Sequence, residues 1–316
     1  MRKGRDKMSE VQWADLTERA RTDSTARVVL GGHIQERLAG RRVVLSVSGG
    51  KDSAAASLYF RELGIAHERV FADTGWEHPK TYEYLRGPLT EALGPIREVR
   101  AKHLFADLVR QKRIFPDRTK RFCTVILKVE PILAYLDSLD EDVVNAIGVR
   151  RDESDARKQA AEWEESKSLQ CEVWRPLVTW SVADVVAIHR RHGLTPNPLY
   201  AMGATRVGCW PCIHARQSEI VLVADTDPDR ILEIQALENE VTEAARARLA
   251  PGEELDWIRS VFSIRESKKT EGPDGLVRRR HRPLPIVDAV AWARAGVARK
   301  APEEPSAGCG EWGFCE

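Results

Sequence analysis

The chain has 316 residues, 42% of them hydrophobic and 31% charged, which is ample for a buried core and far from the composition of disordered chains. Its formal net charge of +1 neither favours nor disfavours nucleic acid, so any such affinity must come from local patches. No apolar run approaches the ~20 residues that span a bilayer, and Met1-Arg2-Lys3-Gly4-Arg5 lacks the apolar stretch of a signal peptide, so a cytoplasmic chain with no membrane partner is expected.

Residues 1–40 predict a helical extension, because Trp13, Leu16 and Ala20, then Val28, Leu30, Ile34 and Leu38, recur near helical spacing before Gly40 stops the pattern. Val43-Val44-Leu45-Ser46-Val47 is an apolar, β-branched run of the kind buried inside a parallel sheet. A glycine loop follows at once, and Ala54–Leu63 returns to helical spacing with Gly64 as its cap. The unit then repeats. His67–Phe71 predicts a second strand ending at Ala72-Asp73-Thr74-Gly75, and Pro79–Leu85 begins another helix. A third strand lies near Val99, and Val143–Ile147 predicts a fourth, closed by Gly148 and a charged loop. Strands alternating with helices imply an α/β fold with a doubly wound parallel sheet, whose ligands bind beyond the carboxyl ends of the strands. Past Pro176 a capped helix, Ser181–His189, precedes a Pro-rich turn and the Cys209 and Cys212 segment. The expected organisation is an extension (1–40), a nucleotide-binding domain (41–200) and an irregular C-terminal region (201–316) carrying metal-binding cysteines and a basic segment.

In Ser48-Gly49-Gly50-Lys51-Asp52-Ser53 the glycines let the backbone approach an anion, and the helix that follows turns amide donors and the positive end of its dipole toward it. Lys51 adds a point cation. A carboxylate beside such a cradle makes sense if Asp52 holds Mg²⁺, which neutralises a departing pyrophosphate. The plainer reading, in which Asp52 merely favours a helix N-terminus, stays open. Neither the Walker spacing nor G-x-G-x-x-G is present, which weighs against P-loop phosphoryl transfer and dinucleotide binding. At the end of the fourth strand, the forks of Arg150 and Arg151 suit phosphate or sulfate oxygens; a surface run pairing with its own acids is the alternative.

The loop is similar to the signature of the PP-loop ATP pyrophosphatases, which cleave ATP between the α and β phosphates to adenylate a substrate. Four further stretches resemble the phosphoadenylyl- and adenylyl-sulfate reductase family within that superfamily. They are Phe71-Ala72-Asp73-Thr74-Gly75-Trp76 through Tyr82; Cys123 with Lys128-Val129-Glu130-Pro131; Gly148-Val149-Arg150-Arg151-Asp152-Glu153 with Arg157; and Pro198-Leu199 through Gly208-Cys209-Trp210-Pro211-Cys212. The resemblance covers residues 41–215 and implies a sheet of the adenine nucleotide alpha hydrolase-like type. It implies an adenine nucleotide, ATP with Mg²⁺, held by Ser46, by Ser48, Gly49, Gly50, Lys51, Asp52 and Ser53, by Asp73 and Thr74, and by Gly148, Arg150, Arg151 and Arg157. Sulfonucleotide reductases usually carry a degraded loop without the Asp. Asp52 is intact here, which goes with ATP cleavage and makes Lys51 and Asp52 the candidate catalytic pair.

Six cysteines without a secretion signal point to a metal or to catalysis rather than a disulfide framework. Cys209-Trp210-Pro211-Cys212 spaces two thiolates for one metal centre. In the resembled family the position of Cys123 is a ligand, so an iron-sulfur cluster of the 4Fe-4S kind on Cys123, Cys209 and Cys212 is implied, with Cys315, or alternatively Cys309, as the fourth ligand. That motif has two adjacent cysteines where this chain has Phe122-Cys123, so one expected ligand is missing and an open iron able to deliver sulfide is an alternative. Zinc in a tetrahedral site is the competing metal. Cys315 is also the candidate nucleophile, because reductases of the family use a cysteine near the C-terminus, although this tail departs from their Glu-Cys-Gly-Leu-His pattern. Cys171 reads as a small apolar side chain.

Arg278-Arg279-Arg280-His281-Arg282, with Lys268 and Lys269, either contacts nucleic-acid phosphates or stands as a solvated loop balanced by acids elsewhere. The leading expectation is ATP-dependent, pyrophosphate-releasing sulfur transfer, similar to the sulfurtransferases of DNA phosphorothioation or tRNA thiolation, with DNA or tRNA as acceptor and a sulfur-donor protein as partner. The alternatives are a sulfonucleotide reductase that makes sulfite, and a nucleotide-sensing or nucleic-acid-binding protein that keeps the cradle without turnover.

Overall fold

A computed structural model describes residues 9–250, 252–255, 258–271 and 277–299. Cys309 and Cys315, expected as metal ligands and in one case as a nucleophile, lie outside the described residues. The strands are β1 (Arg42–Val47), β2 (Glu68–Asp73), β3 (Ile96–Arg100), β4 (Val143–Ile147), β5 (Trp163–Ser166), β6 (Cys171–Trp174), β7 (Phe262–Glu271) and β8 (Val277–Leu284). The helices are α1 (Glu10–Arg19), α2 (Ser24–Arg37), α3 (Lys51–Glu62), α4 (Pro79–Tyr84), α5 (Thr90–Leu93), α6 (Phe105–Lys112), α7 (Phe122–Thr124), α8 (Glu130–Asp137), α9 (Val182–Arg191), α10 (Gln217–Thr226), α11 (Pro228–Arg246) and α12 (Ile286–Ala298). Among the described residues, no helix is long and apolar enough to cross a membrane.

Six strands form one sheet in the order β3-β2-β1-β4-β6-β5. β1 runs parallel to β2 and β4, β4 runs parallel to β6, and β5 closes the edge antiparallel to β6. The order turns back between β1 and β4, so the doubly wound expectation holds and the crevice of such sheets opens at the carboxyl ends of those two strands. Val44 and Leu45 of β1 are fully buried, as the unbroken apolar run requires of a central strand. On α3, Ala54, Ala55 and Ala56 are fully buried, and Phe60 stacks on Trp174 of β6 at 4.6 Å between ring centroids. Trp163 of β5 stacks on Trp174 at 4.8 Å.

The chain folds as two compact units that interleave along the sequence. One is Met1–Phe71, Leu85–Arg97 and Tyr135–Pro196; the other is Ala72–Tyr84, Glu98–Ala134 and Asn197–Glu316. The second carries more regular structure than its composition suggests. α10 and α11 follow the cysteine segment, and β7 and β8 form a separate antiparallel hairpin that leads into α12. Its core joins Phe105, Leu108 and Val109 of α6 with Ile234, Leu237 and Val241 of α11 and Ile286, Ala289 and Ala293 of α12.

Candidate functional site

β1 delivers the chain into Ser48-Gly49-Gly50, where Gly49 takes a φ of +73°, a left-handed value that glycine adopts without strain. Gly50 caps α3, so Lys51, Asp52 and Ser53 form its first turn and the positive end of the helix dipole meets the loop. The loop is braced from within. Ser53 Oγ donates to the Gly50 carbonyl at 3.1 Å and accepts from the Ser48 amide at 3.3 Å. Ser46 points its hydroxyl to Asn145 Oδ1 of β4 at 3.1 Å, tying the two switch-point strands together.

Gly148, just beyond β4, closes on the same helix end. A Cβ at this position would lie 2.6 Å from the Asp52 carbonyl oxygen and 2.8 Å from Ser53 Cα, so only glycine allows the approach. Two residues on, Arg150 is 3% exposed and donates from Nε to Asp52 Oδ1 and from Nη1 to Asp152 Oδ1, both at 2.5 Å. Lys51 Nζ lies 3.9 Å from Asp52 Oδ2. Burial disfavours the Arg150 charge, but Asp52, Asp152 and Glu153 outweigh it and raise its pKa. Asp52 therefore stands between two buried cations at the N-terminus of α3.

The arginine loop divides in two. Arg150 reaches the phosphate loop, whereas Arg151 donates to the Ala160 carbonyl at 3.0 Å and Arg157 pairs with Glu153. Sequence reasoning gave no role to His189. It is fully buried on α9, and its Nε2 faces the Lys51 carbonyl at 2.9 Å, fixing the backbone of the first helical turn. Its Nδ1 faces the Leu194 carbonyl at 3.3 Å, and burial pushes the pKa of the ring down.

In the second unit, Asp73 is 2% exposed and accepts from the Gly75 amide at 2.8 Å, from Tyr82 Oη at 2.6 Å and from Arg100 Nε at 2.7 Å. Thr74 turns instead to a cavity bordered by Cys123, Cys209, Cys212, Lys128 and His214. Its Oγ1 donates to Glu77 Oε1 at 2.8 Å and lies 3.9 Å from Cys209 Sγ. The Cys209–Cys212 segment is pinned there by backbone, since the Trp210 amide donates to the Trp76 carbonyl at 2.7 Å and Trp76 Nε1 to the Pro211 carbonyl at 3.2 Å.

Cys123 and Lys128 lie five residues apart, which in a regular α-helix would separate them by about 140°. The π-helical turn Val125–Val129, inserted between α7 and α8, brings both to the cavity. The negative charge that Cys209, when ionised, would carry is the largest influence raising the half-buried Lys128 amine above its usual range; burial opposes it, and Glu77, Cys212 and Cys123 add to it. Burial raises the Cys209 and Cys123 thiols, and Lys128 draws Cys209 back. His214 Nε2 is buried without a hydrogen-bond partner among the described residues. In their present rotamers, no group of three or more His, Cys, Asp or Glu side chains among the described residues is arranged to hold a metal ion. What the cavity offers a metal is its donor chemistry: three soft thiols and one unsatisfied imidazole nitrogen.

Residues 42–215 match the family model of the phosphoadenosine phosphosulfate reductase domain. The chain belongs to that family. Within it, an uncharacterized 37.8 kDa protein of Escherichia phage 186 is 34% identical over 256 residues, covering 64% of this chain and 76% of that one. An adenosine 5'-phosphosulfate reductase of Streptomyces coelicolor is 29% identical over 172 residues, 51% of this chain and 67% of its own. The chain spans only 44% and 37% of the length of two Methanocaldococcus jannaschii relatives. Among solved structures, a phosphoadenylyl-sulfate reductase of Candida auris in complex with phosphate aligns with a TM-score of 0.46 at 18% identity, over 66% of this chain and 98% of that one. The phosphate loop, the arginine loop and the paired cysteines of this chain all fall inside the matched family region.

Proposed function

We propose that this family member binds the phosphates of ATP in the Ser48–Ser53 loop, releases pyrophosphate, and uses the adenylated product in sulfur transfer to a nucleic acid. The observation that carries the reading is the Arg150–Asp52 contact across the β1–β4 switch point. It puts a carboxylate and an arginine fork at one helix N-terminus, where a triphosphate needs both a metal ligand and a fixed cation. The helix end and Lys51 offset phosphate charge, and Arg150 is already oriented by two carboxylates. Asp52 is the oxygen donor for Mg²⁺, which when bound would neutralise the leaving pyrophosphate. Arg150, if displaced from Asp52 by the metal, would be free to turn its fork toward phosphate. His189 keeps the first turn of α3 from shifting as charge arrives.

On the sulfur side, Cys123, Cys209 and Cys212 would hold an iron-sulfur cluster, with His214 or a tail cysteine, Cys309 or Cys315, as further donor. Such a cluster, when bound, supplies an iron for sulfide or a field that tunes the site. Lys128 offsets the thiolate charge, and Thr74 and Glu77 orient Cys209. A second reading, reduction of a sulfonucleotide to sulfite with Cys315 as nucleophile, is favoured by relatives named adenosine 5'-phosphosulfate reductase. Product analysis separates the readings. Incubation with ATP, Mg²⁺ and a nucleic-acid acceptor is expected to yield pyrophosphate with the adenylated acceptor, or with AMP where water attacks the α-phosphate instead; ADP with phosphate would contradict α–β cleavage, and sulfite from adenylyl sulfate with a thiol donor would favour the second reading.

A further inference from the structure

The β7–β8 hairpin stands outside the six-stranded sheet, and its base is held by one side chain. Glu238 of α11 is 3% exposed. Its Oε1 accepts from Ser260 Oγ at 2.8 Å and from the Val261 amide at 3.1 Å, immediately before β7. Its Oε2 accepts from the Ile286 amide at 2.8 Å, immediately after β8. A single buried carboxylate therefore clamps both legs. Phe262 and Leu284, opposite each other in register, are buried in the core of the second unit and fix the first rung of the ribbon.

Beyond that rung the character changes. The two strands carry seven lysines and arginines, Arg265, Lys268, Lys269, Arg278, Arg279, Arg280 and Arg282, against Glu266 and Glu271, a net of +5 in a chain whose formal net charge is +1. In register, Lys269 faces Arg279 and Arg265 faces His281. A like-charge pair such as Lys269 and Arg279 facing across two strands destabilises an isolated hairpin, and a polyanion bound along the ribbon would offset that cost. Ten residues of β7 give a ribbon about 30 Å long, close to one turn of B-form DNA.

We propose that the β7–β8 hairpin is a DNA-binding arm that enters the major groove of a duplex and sets its basic residues against the phosphates. The B-form major groove admits a two-stranded ribbon, whereas the deep, narrow major groove of A-form RNA does not. The base of the hairpin is fixed to α11 through Glu238, so the direction in which the basic strands leave that helix is set before DNA arrives. This inference deepens the proposed nucleic-acid acceptor but rests on the hairpin alone, and it holds whether or not the phosphate loop cleaves ATP.

The test is fluorescence anisotropy of the full chain, without ATP and with EDTA, against a labelled random-sequence DNA duplex of about two turns and the matching RNA duplex, over a series of salt concentrations. The expected result is binding to DNA that the quadruple variant Lys268→Ala, Lys269→Ala, Arg278→Ala, Arg279→Ala weakens roughly tenfold or more, with a shallower salt dependence. An unchanged melting temperature shows that the variant folds. Replacing Arg110 and Arg246, exposed on other elements, by Ala leaves binding unchanged. Undiminished binding by the quadruple variant, equal affinity for the RNA duplex, or no DNA binding at low salt would each overturn the proposal.

Discussion

Asp52 shares one carboxylate between Arg150, at 2.5 Å, and Lys51, at 3.9 Å, and the cradle's chemistry follows from that division. Arg150→Ala removes the planar fork, and Arg150→Lys restores charge without bidentate geometry. Titration calorimetry with a non-hydrolysable ATP analogue is expected to show affinity falling roughly tenfold or more for Arg150→Ala, with only partial recovery for Arg150→Lys. Equal affinity in all three proteins would remove Arg150 from the site. A second residue gives the fold a pH dependence. His67 faces the Ile65 carbonyl through Nδ1 at 2.9 Å and accepts from Ser57 Oγ through Nε2 at 2.7 Å, an arrangement for the neutral ring, and burial lowers its pKa from 6.5 to about 4. The folded pKa lies below the unfolded one, so this stability is full above about pH 6.5 and is lost as pH falls toward about 4. Melting temperature is expected to drop across that window more steeply in the wild type than in His67→Gln; parallel curves would contradict this. At this scale the phosphate loop, Gly148 and Arg150 were legible, because glycine and arginine at strand ends carry their reasons in their chemistry. His189 was not, since only the packing of α9 brings it to Lys51.

Among the elements, β1, α3, β2 and β4 were legible from apolar runs and caps. β5 and β6 escaped notice because both are only four residues long, and the edge strand Trp163–Ser166 has one apolar residue, Trp163, which stacks on Trp174 of β6. The π turn at Val125–Val129 has no sequence signal either, yet it brings Cys123 and Lys128 to one cavity. Cys123→Ala and Cys212→Ala are expected to lose iron and acid-labile sulfide, counted after anaerobic purification. Zinc in place of iron would contradict the cluster. The Glu238 clamp was equally hidden, since a glutamate in the middle of a helix reads as solvent-facing until its three donors are seen. Glu238→Leu strands the Val261 and Ile286 amides, at about 1–3 kcal/mol for each one left buried without a partner, while Ser260 can turn to the Leu284 carbonyl. Urea denaturation is expected to show a loss of at least that size, and a neutral result would mean the clamp contributes nothing.

For the whole molecule, the chain folds as two compact units that exchange segments at residues 71, 84, 97, 134 and 196. Sequence order carries little record of such an exchange, because the crossings at residues 71, 97 and 134 fall inside β2, β3 and α8, elements that look locally continuous. The irregular texture expected beyond residue 200 came from its Arg, Gly and Pro content, yet α10, α11 and α12 are ordinary helices whose apolar faces meet in one core. The matched family region, residues 42–215, leaves the hairpin and α12 outside it. The central claim, cleavage of ATP between its α and β phosphates at the Ser48–Ser53 loop, is tested most directly by pyrophosphate release from ATP and Mg²⁺ in the wild type and in Asp52→Ala. The account predicts release by the wild type that disappears in the variant while the fold is retained; release that continues undiminished in Asp52→Ala would contradict it.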